Sequence, residues 1–265
     1  MMDRDPSLSP APRSRRIWPW VVAVFLIVLV SAVIALIETV GRGIAVSAVE
    51  QEVRTALDVP AETPVGVDLG PGSLAFQALT GRIEQVNVTV DPLALGPLSG
   101  EVLIEARGVP LDQNAPVRDL QVSYRVPEEA LGGIADRLSG VDITSVSLED
   151  AEIVASGEVS LLGMTLPLGL GLTPGAADGV LTFTPTSIRI GDSTFDAATL
   201  ASDRFWGDAA RTITQTRAVC IADRLPAALT LEDVRVDGGE LVVELNGAGQ
   251  ALGGSEFRTK GVCPE

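Results

Sequence analysis

Residues 17–37, IWPWVVAVFLIVLVSAVIALI, carry no charge, and only Pro19 and Ser31 interrupt the apolar run. At about 1.5 Å per residue the run makes a helix roughly 30 Å long, which matches the hydrocarbon core of a bilayer. Lipid cannot satisfy free backbone N–H and C=O groups, so a helix is the one conformation open to such a stretch. Arg13, Arg15 and Arg16 precede it, and Trp18 and Trp20 stand at its entry, where indole rings favour the interface. The positive-inside bias then keeps residues 1–16 as a cytoplasmic tail, makes 17–37 a single-pass transmembrane anchor, and exports 38–265. A cleaved signal peptide would have a shorter apolar core, about 7–15 residues, and a small-residue cleavage site. Ser31, Ala32 and Ala35 supply only an imperfect one, so the sequence predicts an uncleaved signal-anchor.

The charges and the missing residue types narrow the function. The chain has 35 acidic and 19 basic residues, net −16. Four arginines but only Asp3 and Asp5 precede the anchor, so the exported part is more acidic still. Such a surface repels polyanions, and no nucleic-acid partner is expected. The chain has no histidine, which removes Ser-His-Asp and Cys-His catalysis and the common zinc sets. Glu149, Asp150 and Glu152 cluster in sequence, but glycoside hydrolysis needs two carboxylates placed about 5–10 Å apart across a substrate, which adjacency does not create. The expectation is therefore a non-enzymatic protein with no catalytic residues, no metal and no cofactor. Cys220 and Cys263, both beyond the anchor, are expected to pair; closing that loop is worth about 4 kcal/mol on a chain-entropy count. Neither belongs to a CxxC pair, so redox catalysis has no support.

Past the anchor, IAVSAVEQEVRTAL reads as an amphipathic helix with Ala45, Val49, Val53 and Ala56 at helical spacing. From Pro64 the period becomes two. VGVDLG, RIEQVNVTVD, EVLIEARGV and LQVSYRV alternate apolar and polar residues, as half-exposed antiparallel strands do. SLAFQALTG is a short helix before Gly81, DPLALGPLSG a loop, and PEEALGGIADRLSG a helix opened by Pro127. SVSLED, EIVASGEVSLL, MTLPLGLGL, GVLTFTP and TSIRIGD read as further strands. In MTLPLGLGL one face is apolar and the other carries Thr165, Pro167, Gly169 and Gly171, with Pro167 marking an edge or bulge. Residues 198–218 fit neither pattern. LTLEDVRV and ELVVELNG, joined at Asp237-Gly238-Gly239, make a terminal hairpin. The absence of βαβ alternation predicts an α+β fold: a curved, mainly antiparallel sheet packed with one or two helices, each half of the chain able to supply a sheet.

The order strand, short apolar helix, glycine, strand in PVGVDLGPGSLAFQALTGRIEQVNVTVD resembles the LmeA-like phospholipid-binding family of actinobacterial cell-envelope proteins. The ending RGVPLD, the helix after YRVPEEAL, the GDSTF segment and LPAALTLEDVRVDGGELVVELNG extend the similarity over about residues 44–252. The resemblance implies an exported, membrane-associated protein that binds phospholipid within a curved apolar sheet and serves envelope, including lipoglycan, assembly. No headgroup ligands come with it. The apolar positions suited to an acyl chain are Leu74, Phe76 and Leu79 in the short helix, Val102 and Ile104 in one strand, and Met164, Leu166, Leu168 and Leu170 in another. For any one of them the plain alternative is an ordinary core contact. A protein that engages another envelope protein through an exposed face is the other functional class left open.

Overall fold

Alternation places the apolar side chains of the first half on one side of a sheet. The computed structural model describes residues 26–29, 31, 37–57, 59–95, 98–134, 143–161, 164–177, 180–191, 193–202 and 215–263. Strands β1 (Val65–Asp68), β2 (Arg82–Leu95), β3 (Leu98–Pro110) and β4 (Asp119–Pro127) pair in sequence order. The terminal hairpin β11 (Thr230–Asp237) and β12 (Glu240–Asn246) returns so that β12 pairs with β4, completing a six-stranded antiparallel sheet. Its register aligns Val65, Val90, Val102, Tyr124 and Val243 across five strands, and Val67, Val88, Ile104, Val122 and Leu245 in the next row. Residues opposite one another share a face. That face is the core, with Val90 and Val126 fully buried.

Helix α1 (Arg42–Ala56) packs Ala45, Val46, Val49 and Val53 against this core, so it is a layer of the fold and not a free stalk. Helix α2 (Leu74–Thr80) starts at Ser73, whose hydroxyl accepts from the Phe76 amide at 3.4 Å, and ends at Gly81, which adopts the left-handed φ of +73° that glycine tolerates. Its buried Gln77 accepts the Glu84 amide at 3.2 Å and ties it to β2.

The second half forms a second antiparallel sheet. β5 (Ile143–Glu149), β6 (Glu152–Leu161), β7 (Met164–Ala177) and β8 (Val180–Ile190) pair in order. β9 (Ser193–Asp196) and β10 (Arg217–Val219) both pair with β8. Leu148 and Ile153 belong to the same buried cluster as the first sheet, and Leu172, Ala176, Leu181 and Phe183 pack on it. The domain is thus mainly antiparallel, as expected, with two sheets joined through one core.

Four local expectations are corrected. The stretch DPLALGPLSG is mostly strand: β2 runs on to Leu95 across an irregularity between Val90 and Leu93, and β3 begins at Leu98. PEEALGGI forms a 3-10 helix, Glu128–Ile134, in keeping with the two adjacent glycines; residues 135–142 of that expected helix lie outside the described residues. GVLTFTP and TSIRIGD are one strand, β8, with the register shift around Pro185 that a residue without an N–H requires. Pro167 sits in β7, which is interior to its sheet. It is tolerated because β8 ends at Ile190, and only the Gly191 amide reaches the Pro167 carbonyl, at 3.0 Å. Of residues 198–218, helix α3 (Ala197–Ser202) and β10 take the two ends, and 203–214 lie outside the described residues.

The expected terminal hairpin is present, turned by Gly238 and Gly239 at φ +61° and +83°, the pair of positive values a two-residue turn needs. The Cys220–Cys263 disulfide is also present, with Cα atoms 5.8 Å apart and the two cysteines 43 positions apart in sequence. Around it the tail pairs with the segment before β11: the Ala227 amide donates to Thr259 at 2.9 Å and Gly261 to Leu225 at 3.0 Å. Because the bond closes a long loop, Cys220→Ser with Cys263→Ser should lower unfolding free energy by about 2–4 kcal/mol. Denaturant midpoints of the oxidised and substituted proteins check this; equal midpoints would contradict it.

Candidate functional site

Strand β7 has two unlike sides, and each does something different. On one side Gly169 and Gly171 leave the backbone bare, and polar chains from β8 lie across it. Arg189 of β8 reaches over β7 and β6 to Glu149 of β5, Nη1 to Oε2 at 2.7 Å, a crossing of three inter-strand spacings or about 14 Å. The Ser187 hydroxyl donates to the Glu152 carboxylate of β6 at 2.8 Å, directly over Gly171. A Cβ at Gly171 would run into both the Ser187 hydroxyl and that carboxylate. The hydrogen bond from Arg189, then that from Ser147, holds the Glu149 carboxyl below the usual carboxylate range. A lowered value means this contribution is present above the ordinary carboxylate pKa and is lost as pH falls through the lowered one.

On the other side of β7 the leucines form an apolar strip. Leu170 lies opposite Ala155 and Ile188, and Ile188 opposite Phe195; Leu168 lies opposite Gly157 and Ile190. At the Leu172 end the strip merges with the core. At the other end it is open: Leu166, Ile190 and Phe195 expose 41, 44 and 41 per cent of their surface, and Leu168 and Leu170 are half-buried. From Leu166 to Leu172 the strip is roughly 20 Å long, against about 15 Å for one leaflet's share of a hydrocarbon core. An extended acyl chain laid on it would meet apolar surface along its length.

The nine residues singled out in sequence do not meet in one place. Leu166, Leu168 and Leu170 share the strip; Met164 opens β7, and its side chain lies outside the described residues. Val102 is core at 4 per cent exposure, and Ile104 and Leu74 pack against that core. Phe76 and Leu79, at 63 and 86 per cent, project from α2, which packs on β2 at the first sheet. Ile188, Ile190 and Phe195 complete the strip and were not singled out. The alternation in TSIRI and the phenylalanine of GDSTF were the signals for them, but they needed the β7–β8–β9 pairing to acquire a common face.

The acidic cluster is spent on structure. Glu149 and Glu152 hold the polar bridges, and Asp150 and Ala151 form the β5–β6 turn with positive φ values of 45° and 70°. Among the described residues no group of three acidic or cysteine side chains could hold a metal ion.

A family model described as LmeA-like phospholipid-binding matches residues 38–246. The chain belongs to this family. The match takes in α1, the twelve strands among the described residues and so the whole strip, while the apolar run precedes it and Cys263 follows it. No curated protein and no solved structure matches significantly.

Because the bridges need an uncovered backbone, Gly171→Ala should cost about 1–3 kcal/mol, and adding Ser187→Ala should recover part of it. Chemical denaturation of the single and double variants checks the pair; an unaltered Gly171→Ala midpoint would contradict it.

Proposed function

We propose that this LmeA-like chain is a membrane-anchored, extracytoplasmic phospholipid-binding protein that holds or shuttles lipid during cell-envelope assembly, without covalent chemistry. Residues 1–16 are the cytoplasmic tail, 17–37 the anchor and 38–265 the exported domain. The observation that carries the lipid reading is the apolar strip on β7, β8 and β9: continuous with the core at Leu172, open at Leu166, Ile190 and Phe195. Each buried CH₂ of an acyl chain is worth about 0.8 kcal/mol, so a strip of this kind holds lipid without any charged partner. The phospholipid-binding description of the family supports the same reading.

The anchor has separate support. Among the described residues no helix is long and apolar enough to cross a membrane, and most of residues 17–37 lie outside them. Within this run residues 26–29 are helical, and Leu26, Ile27, Val28 and Leu29 are 53–64 per cent exposed. Side chains of this kind gain about 1.5–3 kcal/mol each on leaving water, which a bilayer supplies. The three arginines before the run set its orientation, cytoplasm to exterior.

Leu168→Glu would put an unpaired carboxylate on the strip and should weaken retention of labelled phospholipid roughly tenfold or more. Val262→Glu, a change in the exposed tail, should leave retention as it is. Circular dichroism on each variant separates lost binding from lost fold. A folded Leu168→Glu protein that binds like the unsubstituted one would remove the strip from the mechanism.

A further inference from the structure

Helix α2 is fastened to the residue that follows the apolar run. The Ala75 amide donates to the Glu38 carboxylate at 3.4 Å, and Arg42 donates to the carbonyls of Gly70 and Gly72 at 3.0 and 2.9 Å. The hydrogen bond from the Ser73 hydroxyl, then that from the Leu74 amide, keeps the Glu38 carboxyl below its ordinary range, so the tie is charged at neutral pH. Beyond the tie, Phe76 and Leu79 are exposed at 63 and 86 per cent, and nearby Val40 and Ile44 at 53 and 67 per cent. No charged residue lies between Ser73 and Gly81, in a chain with 35 acidic side chains.

We infer that the outer side of α2, through Phe76 and Leu79, rests in the headgroup layer of the same bilayer that residues 17–37 enter, and so fixes the orientation of the exported domain. The inference rests on the reading of 17–37 as an anchor. Its scale follows from geometry. If the hydrocarbon core ends near Ile37, Ala75 is held at its edge through Glu38. Phe76 and Leu79 come one and four positions later, within about 6 Å of helical rise. The headgroup layer on each side is itself about 5–8 Å deep. Apolar and aromatic side chains gain at that depth, and the absence of charge on α2 spares it the repulsion that an acidic surface meets at an anionic bilayer.

The test uses the full chain in vesicles of phosphatidylcholine and phosphatidylglycerol, with photoreactive benzoylphenylalanine replacing Leu29, Phe76, Leu79 or Val262 one at a time. Val262, 87 per cent exposed in the tail, is the control for exposure alone. Mass spectrometry of irradiated samples should find lipid adducts at 29, 76 and 79 severalfold above those at 262, with the Cys220–Cys263 bond intact as the check on folding. Adducts at 29 with 76 and 79 no higher than 262 would overturn the α2 contact and leave the anchor standing. Lipid adducts at none of the three would overturn both. Adducts from 76 or 79 to a second protein chain would replace the bilayer with self-association and overturn the inference.

Discussion

A β-strand turns its side chains alternately to two sides, and most strands of this protein put their apolar residues on the same side of their sheet. The rest follows from how that one face is covered. Over the first sheet the cover is protein: α1 lays Ala45, Val46, Val49 and Val53 on it. The same buried cluster takes in Leu148 and Ile153 of the second sheet. Further along the second sheet the cover ends among the described residues, and Leu166, Ile190 and Phe195 stay partly in solvent. Under the proposed function, phospholipid covers the part of this face that protein leaves open.

The opposite side of the second sheet is tied across its strands without bulk on β7. Gly169 and Gly171 do this by leaving room for Arg189 and Ser187 to reach Glu149 and Glu152 across the strands. The first sheet has a comparable device on its outer side, where Arg235 of β11 binds Asp233 of its own strand and Glu244 of β12 at 2.7 Å each and its guanidinium is held more firmly protonated still. Partly exposed pairs of this kind contribute modestly to stability, typically up to about 1 kcal/mol, so their value lies more in register than in energy. The polar bridges of the second sheet thus lie on the side of β7 opposite the strip.

Much of this fold was legible because alternation is a local property. VGVDLG, RIEQVNVTVD, LQVSYRV and the Asp237-Gly238-Gly239 hairpin each carry their own period and turn chemistry, and each forms the expected element. The helix with Ser73 and Gly81 at its ends was legible for the same reason. What sequence could not give was pairing. Nothing in SYRV says that Tyr124 faces Val243, far along the chain, and nothing in TSIRI places Ile188 between Leu170 and Phe195. Hence the candidate lipid residues mixed three environments: Val102 in the core, Leu79 in solvent, and Leu168 on the strip. Pro167 misled in an instructive way, because a proline needs only a missing partner at its own N, which the end of β8 supplies inside a central strand.

The claim that the strip carries lipid is tested most directly by asking what the exported domain brings with it. Fragment 38–265, secreted with its disulfide formed and purified without detergent, should be analysed by native mass spectrometry and then by lipid extraction. The account predicts a bound phospholipid, about one per chain, that is displaced when competing lipid is added. A domain that is folded, oxidised and free of lipid, and that takes up no phospholipid from vesicles, would contradict it.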